Sequence, residues 1–222
     1  MQPFSDPEAV ARYTEGPRRL VPGLADLHRM TMLLLAEHAP DAADILVLGA
    51  GGGLELKVFA EAKPDWRLLG VDPSAEMLEL ARMTLGPLQS HAELLEGTID
   101  AAPSGPFDGA ACLLTLHFLP RDERLRTLRE VRRRLKPGAP FVVAHHSYPN
   151  GEAGRRWLSR FAAFAMSNGL EAERASAMAE TIADRLPALS PDEDEALLRE
   201  AGFSDVGLFY AAFTFRGWVA VA

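Results

Sequence analysis

The sequence predicts an α/β fold built on a mostly parallel sheet with helices on both faces. Three observations carry this reading. Short apolar runs alternate with helical segments five times between Ile45 and Ala144. The runs are apolar at nearly every position, as strands covered on both faces are. The chain then closes with two strand-like segments too near each other to hold a crossover helix, so that pair is antiparallel.

The elements follow in order. Residues 1–22 are proline-rich and polar, with a short helix expected around Asp6 to Tyr13. Gly23 to Ala39 reads as a helix with Leu24, Leu27, Met30, Leu34 and Leu35 on one face. Residues 1–39 therefore form an N-terminal helical cap, and residues 40–222 the main body of one structural domain. Ile45 to Leu48 is a strand, Gly53 to Ala62 a helix, and Arg67 to Val71 a second strand ending at Asp72. Ser74 caps a helix reaching Leu85, with Glu76 in its first turn. His91 to Leu95 and Phe107 to Leu114 are further strands. Asp122 to Leu135 is a helix with Leu125, Leu128, Val131 and Leu135 on one stripe, stopped by Lys136-Pro137-Gly138. Pro140 to Ala144 is the fifth strand. Glu152 to Leu186 is helical, as is Asp192 to Ala201; Phe203 to Tyr210 and Phe213 to Val221 close the chain.

Composition narrows the function. A net charge of −8 repels phosphate backbones and disfavours a nucleic-acid partner. Cys112 is the sole cysteine, so no intramolecular disulfide forms, which suits a reducing compartment. Met1 to Val10 lacks the basic and apolar regions of a secretory signal, and no apolar run reaches membrane length. A cytoplasmic protein without a membrane partner is expected.

The sharpest motif is the first strand running into Gly49-Ala50-Gly51-Gly52-Gly53 and then a helix. Glycine permits a tight turn and leaves space for a ligand against the backbone. Asp72 follows nineteen residues after Gly53, at the end of the next strand, where a carboxylate can accept both ribose hydroxyls of a nucleoside. A dinucleotide fold asks for a glycine in the sixth position, and Leu54 stands there. A nicotinamide oxidoreductase is thereby disfavoured. A nucleoside-binding protein without catalysis remains a further reading.

Five stretches resemble class I S-adenosylmethionine (SAM)-dependent methyltransferases: ILVLGAGGG (45–53), LLGVDPSAEML (68–78), LLEGTID (94–100), FDGAACLLTLHFL (107–119) and RLKPGAPFVVAH (134–145). The tail AGFSDVGLFYAAFTF (201–215) is similar to the closing antiparallel pair of that fold. The resemblance implies a Rossmann-like seven-stranded sheet with its last strand antiparallel, an N-terminal helical lid and a helical insert after strand five. It implies SAM as cofactor and methyl transfer to a small-molecule acceptor. Within the family, Val21-Pro22-Gly23 and Thr115-Leu116-His117-Phe118-Leu119 resemble the carboxy-SAM synthase subgroup, which implies a homodimer and offers an alternative role in tRNA modification. Leu24, Thr98 and Leu113 depart from that subgroup, and an ungapped alignment places Ala179 where its carboxylate-holding arginine stands. Val47 stands where many family members carry an acid, so backbone groups or another side chain must hold the cofactor tail.

Position by position, the resemblance implies that Gly49, Ala50, Gly51 and Gly53 form the turn along the methionine part. Asp72 then holds the ribose and Pro73 lies beside the adenine. Thr98 and Ile99 flank the base, with Asp100 an alternative partner for its amino group, and Leu113 sits near the sulfonium.

His117, His145 and His146 follow strands four and five at the ligand-facing end of the sheet. Each is a candidate base or substrate contact, or else a hydrogen-bonded loop histidine; His117 is the first choice. Tyr13, Arg19 and His28 belong to a segment that either covers the site or docks on the domain. Trp157, Phe161, Phe164 and Met166 offer an apolar acceptor pocket, or core and interface. The run Arg124, Arg126, Arg129, Arg132, Arg133, Arg134 and Lys136 reads as a solvated helix face.

Overall fold

The computed structural model describes residues 16–222; the helix expected around Asp6 to Tyr13 lies outside them. Seven strands form one sheet in the order β3-β2-β1-β4-β5-β7-β6. They are β1 (Asp44–Leu48), β2 (Arg67–Asp72), β3 (Ala92–Glu96), β4 (Gly109–Leu113), β5 (Pro140–His146), β6 (Ser204–Ala212) and β7 (Phe215–Val221). The first five are parallel; β7 runs antiparallel to both β5 and β6.

Alternation along the strands divides the core in two. Ile45, Val47, Leu68, Ala111 and Val142 pack under α2 (Leu24–Ala36) and α3 (Leu54–Ala62). Leu46, Leu48, Val71, Phe141 and Val143 pack on the other face under α5 (Arg121–Arg134) and α8 (Pro191–Glu200). The remaining helices are α1 (Gly16–Leu20), α4 (Ala75–Leu85), α6 (Gly151–Ser167) and α7 (Ala172–Arg185). Ser74 caps α4 as expected, accepting the Met77 N–H at 3.2 Å.

The structure divides the helical stretch from Glu152 to Leu186 into α6 and α7. Gly169 adopts φ +86 and Leu170 N–H donates to Ala165 O, the left-handed glycine turn that ends a helix. The break folds α7 back against α6 and brings its last turn to the carboxyl ends of the strands. There α1, α2 and α6 bury Val21, Leu24, Leu27 and Phe161 over Leu113 and Phe215.

The basic run on α5 is only partly a solvated face. Arg126 and Arg133 are exposed and pair with Glu123, Asp100 and Glu130. Arg124 is 0% exposed. Its Nη1 donates to Asp194 Oδ1 at 2.6 Å and its Nη2 to Pro187 O at 2.9 Å. Position in a charge run does not reveal which arginine faces inward.

Candidate functional site

A cavity of about 670 Å³ opens at the carboxyl ends of β1, β2 and β4, the usual ligand position in a doubly wound sheet. The glycine turn forms one wall. Gly49 and Ala50 both donate to Val71 O, at 2.8 and 3.1 Å, tying the turn to the end of β2. Gly49 adopts φ +73, and a Cβ there would stand 2.0 Å from Thr115 Oγ1. Only glycine lets the turn lie this close to the segment after β4. Gly53 starts α3 at φ +76 with a virtual Cβ 2.9 Å from Ala81, so it brings α3 against α4 rather than lining the cavity.

Asp72 closes the wall beside this turn. Its Oδ2 accepts Gly51 N–H and its Oδ1 accepts Ser74 N–H, each at 2.9 Å. Burial pushes its carboxyl up, and these two amides pull it back. Each carboxylate oxygen keeps lone pairs for an incoming hydroxyl. Pro73, Met77 and Leu113 continue the wall with apolar surface. Leu114 adopts φ +56, a left-handed conformation that is costly for a branched side chain and recurs at binding sites.

The cavity is also lined by Leu24 and His28 from α2, Phe118 and Leu119 after β4, and Ile182 and Arg185 from α7. Burial, helped by the positive Arg18, holds the His28 imidazole down to about 4, so it is neutral near pH 7. Glu55, in the first turn of α3, also borders the cavity; burial pushes its carboxyl up to about 8, and the charge of Asp72 adds to the effect.

Among the predicted residues, Gly49, Ala50, Gly51, Asp72, Pro73 and Leu113 meet at this cavity. Thr98 is exposed, Ile99 packs into the core, and Asp100 pairs with Arg126 at 2.8 Å; none is in the wall. The three histidines are not in the wall either, contrary to the expectation for a base. His117 Nδ1 accepts the His146 N–H at 3.1 Å, and His146 stacks on Phe215 with ring centroids 4.0 Å apart. His145 lies on the other face of the sheet, its Nε2 3.2 Å from Asp194 Oδ1. Burial holds His146 at about 3 and His117 well below its ordinary value, so both are neutral packing groups. Phe161 is core, and Trp157 stacks under Arg160 at 4.4 Å; the insert lines the cavity through Thr181, Ile182, Arg185 and Leu186 instead.

An adenosyl sulfonium compound suits these residues. A fixed carboxylate stands in the wall, apolar side chains line much of the rest, and the only arginine or lysine among the described lining residues is Arg185. A pyrophosphate would meet the carboxyls of Asp72 and Glu55 instead.

Comparison with known proteins agrees. Residues 45–138 match the methyltransferase domain family. The chain is similar to a carboxy-S-adenosyl-L-methionine synthase of Chromohalobacter salexigens, 28% identical over 97% of this chain and 82% of that one. It shares the fold of PigF solved with SAH, at TM-score 0.71 and 19% identity, covering 99% of this chain and 61% of PigF. It also shares that of a SAM-dependent methyltransferase from Aquifex aeolicus, at TM-score 0.65 and 18% identity, covering 97% of both chains.

Proposed function

We propose that this chain, which carries a methyltransferase domain and the fold of PigF solved with SAH, is a class I SAM-dependent methyltransferase that methylates a small molecule bound in the cavity away from Asp72. The observation that carries this reading is the Asp72 carboxylate, fixed by the Gly51 and Ser74 amides at the cavity wall. In our reading Asp72 accepts the ribose hydroxyls, Pro73 and Met77 flank the adenine, and Gly49 to Gly51 lie along the aminoacid tail. Leu113 abuts the sulfur, while Thr98 and Ile99 contact the base only if the segment after β3 closes on it. Bound SAM supplies a methyl group on a positively charged sulfur, already activated for displacement. The protein's task is then chiefly alignment and exclusion of water.

Leu24, Phe118 and Ile182 give the acceptor an apolar bed. His28 is the neutral imidazole in the wall and takes a proton from an acceptor that must lose one. In that role it replaces His117, His145 and His146. The expected 1–39 cap, of which residues 16–39 are described, covers the 40–222 body in this reading, and a cytoplasmic homodimer completes it. Among the described residues no helix is long and apolar enough to cross a membrane.

A second reading, carboxy-SAM synthase-like chemistry, is favoured by the similarity to the C. salexigens enzyme and by Arg185, a cation on the same helix as Ala179. Calorimetry with SAM, SAH and NAD tests the first reading: SAM and SAH bind and NAD does not. The mass of a co-purified ligand separates SAM from its carboxylated form.

A further inference from the structure

Glu55 is 7% exposed, so more than nine-tenths of it is buried, yet it borders the cavity beside the glycine turn from which α3 springs. No cationic side chain among the described residues pairs with it. The charge of Asp72 opposes its ionisation. Buried carboxyls are ordinarily paired. One held by its own backbone N–H and by no cation, at the edge of a binding cavity, points to a partner that the ligand brings. β1 offers only Val47 and Leu48 at this end, and Asp72 is already held by two amides.

Resting on the reading of this cavity as the cofactor site, we propose that Glu55 is the counter-ion of the cofactor's α-ammonium group. The tail lies along the turn that Glu55 adjoins, whereas the sugar lies at Asp72. A sulfonium has no N–H to give, but an ammonium has three donors for a carboxylate. As the ligand enters, the Glu55 O–H bond breaks, the proton leaves to solvent, and the carboxylate left behind meets the ammonium. The N-terminal end of α3 favours that negative charge. The other titratable and charged groups around it are Asp72 on β2, Cys112 on β4, His28 on α2 and Arg185 on α7, with Lys57 and Glu61 on its own helix paired to each other at 3.9 Å.

Titration calorimetry of the full chain at pH 7, in phosphate and in Tris, tests this with SAH and with 5′-methylthioadenosine, which keeps the nucleoside and lacks the aminoacid tail. The difference in heat between buffers counts protons. The wild type is expected to release close to one proton with SAH and none with methylthioadenosine. The variant Glu55→Gln, isosteric with the neutral acid, is expected to bind SAH at least tenfold more weakly with no proton release, and methylthioadenosine within twofold of the wild type. Unchanged SAH affinity, or equal loss of both ligands, overturns the role of Glu55. So does wild-type SAH binding without proton release, which needs no variant. A wild type that binds neither compound overturns the cofactor reading itself.

Discussion

Gly51 donates its backbone N–H to Asp72 Oδ2 at 2.9 Å, joining the turn after β1 to the end of β2 across 21 residues. With Ser74 N–H on the other oxygen, the carboxylate is oriented before any ligand arrives. Pre-orientation spares a bound nucleoside the cost of ordering that side chain. Asp72→Ala is expected to weaken SAM at least tenfold, about 1.4 kcal/mol, by removing the charged acceptor. Asp72→Asn is expected to lose as much, because its amide places N–H groups against one of the two backbone donors. Calorimetry reads both; wild-type affinity in either variant removes Asp72 from the site.

Arg124 and Asp194 are 0% and 2% exposed and joined at 2.6 Å. Burial works against the Asp194 charge, but His145 and Arg124 outweigh it and hold the carboxyl below its usual range. Arg124 also reaches Leu119 O at 3.4 Å and Pro187 O at 2.9 Å, beside the cavity residues Leu119 and Leu186. Removing one partner leaves a buried charge uncompensated. Arg124→Ala is expected to cost about 3–5 kcal/mol in urea unfolding. Arg126→Ala, on the exposed side of the same helix, is expected to cost under about 1 kcal/mol. Equal losses would show that the buried pair is not what holds α8 to α5.

Stability is expected to peak near pH 6.5. His28 and His146 have folded-state values lowered to about 4 and 3, so the unfolded chain binds more protons below pH 6.5. Their contribution, complete above that pH, is lost as pH falls through the folded values. Glu55 acts in the opposite sense. Its value is raised to about 8, so the folded chain holds a proton that the unfolded chain releases above pH 4.5, and stability declines as pH rises toward 8. Each group contributes a slope approaching about 1.4 kcal/mol per pH unit within its window. Urea midpoints from pH 4 to 9 read the profile, and Glu55→Gln should flatten its alkaline arm and steepen its acid arm above about pH 4.5. An unchanged alkaline arm would remove Glu55 as its source.

The sheet, its antiparallel closing pair and the Asp72 wall were legible because each rests on local pattern: apolar runs, a glycine turn, an acid at a strand end. The α6–α7 break was also written locally, in Asn168-Gly169, but alanine-rich helix on either side obscured it. Residues whose roles depend on tertiary placement were not legible. His117, His145 and His146 sit at strand ends as expected, yet the aromatic packing of Phe118, Phe161, Phe215 and Trp218 encloses them. His28, Glu55 and Arg185 reach the cavity from three separate helices, and no spacing along the chain links them.

Gly49 separates backbone strain from crowding. Gly49 and Gly138 both adopt left-handed conformations, φ +73 and φ +80. A side chain at either position costs about 1–2 kcal/mol for the conformation alone. At Gly138 nothing lies within 4 Å of an added Cβ, whereas at Gly49 it would stand 2.0 Å from Thr115 Oγ1 and 2.6 Å from Thr115 Cγ2. Gly138→Ala is therefore expected to lower the melting temperature by about 2–8 °C and leave SAM binding intact. Gly49→Ala is expected to lower it further and abolish detectable SAM binding, because the turn must move off Thr115. Adding Thr115→Ala to Gly49→Ala removes two of the three closest contacts and should recover part of both losses, while the conformational cost persists. If the double variant is no better than Gly49→Ala, crowding against Thr115 is not what fixes the turn.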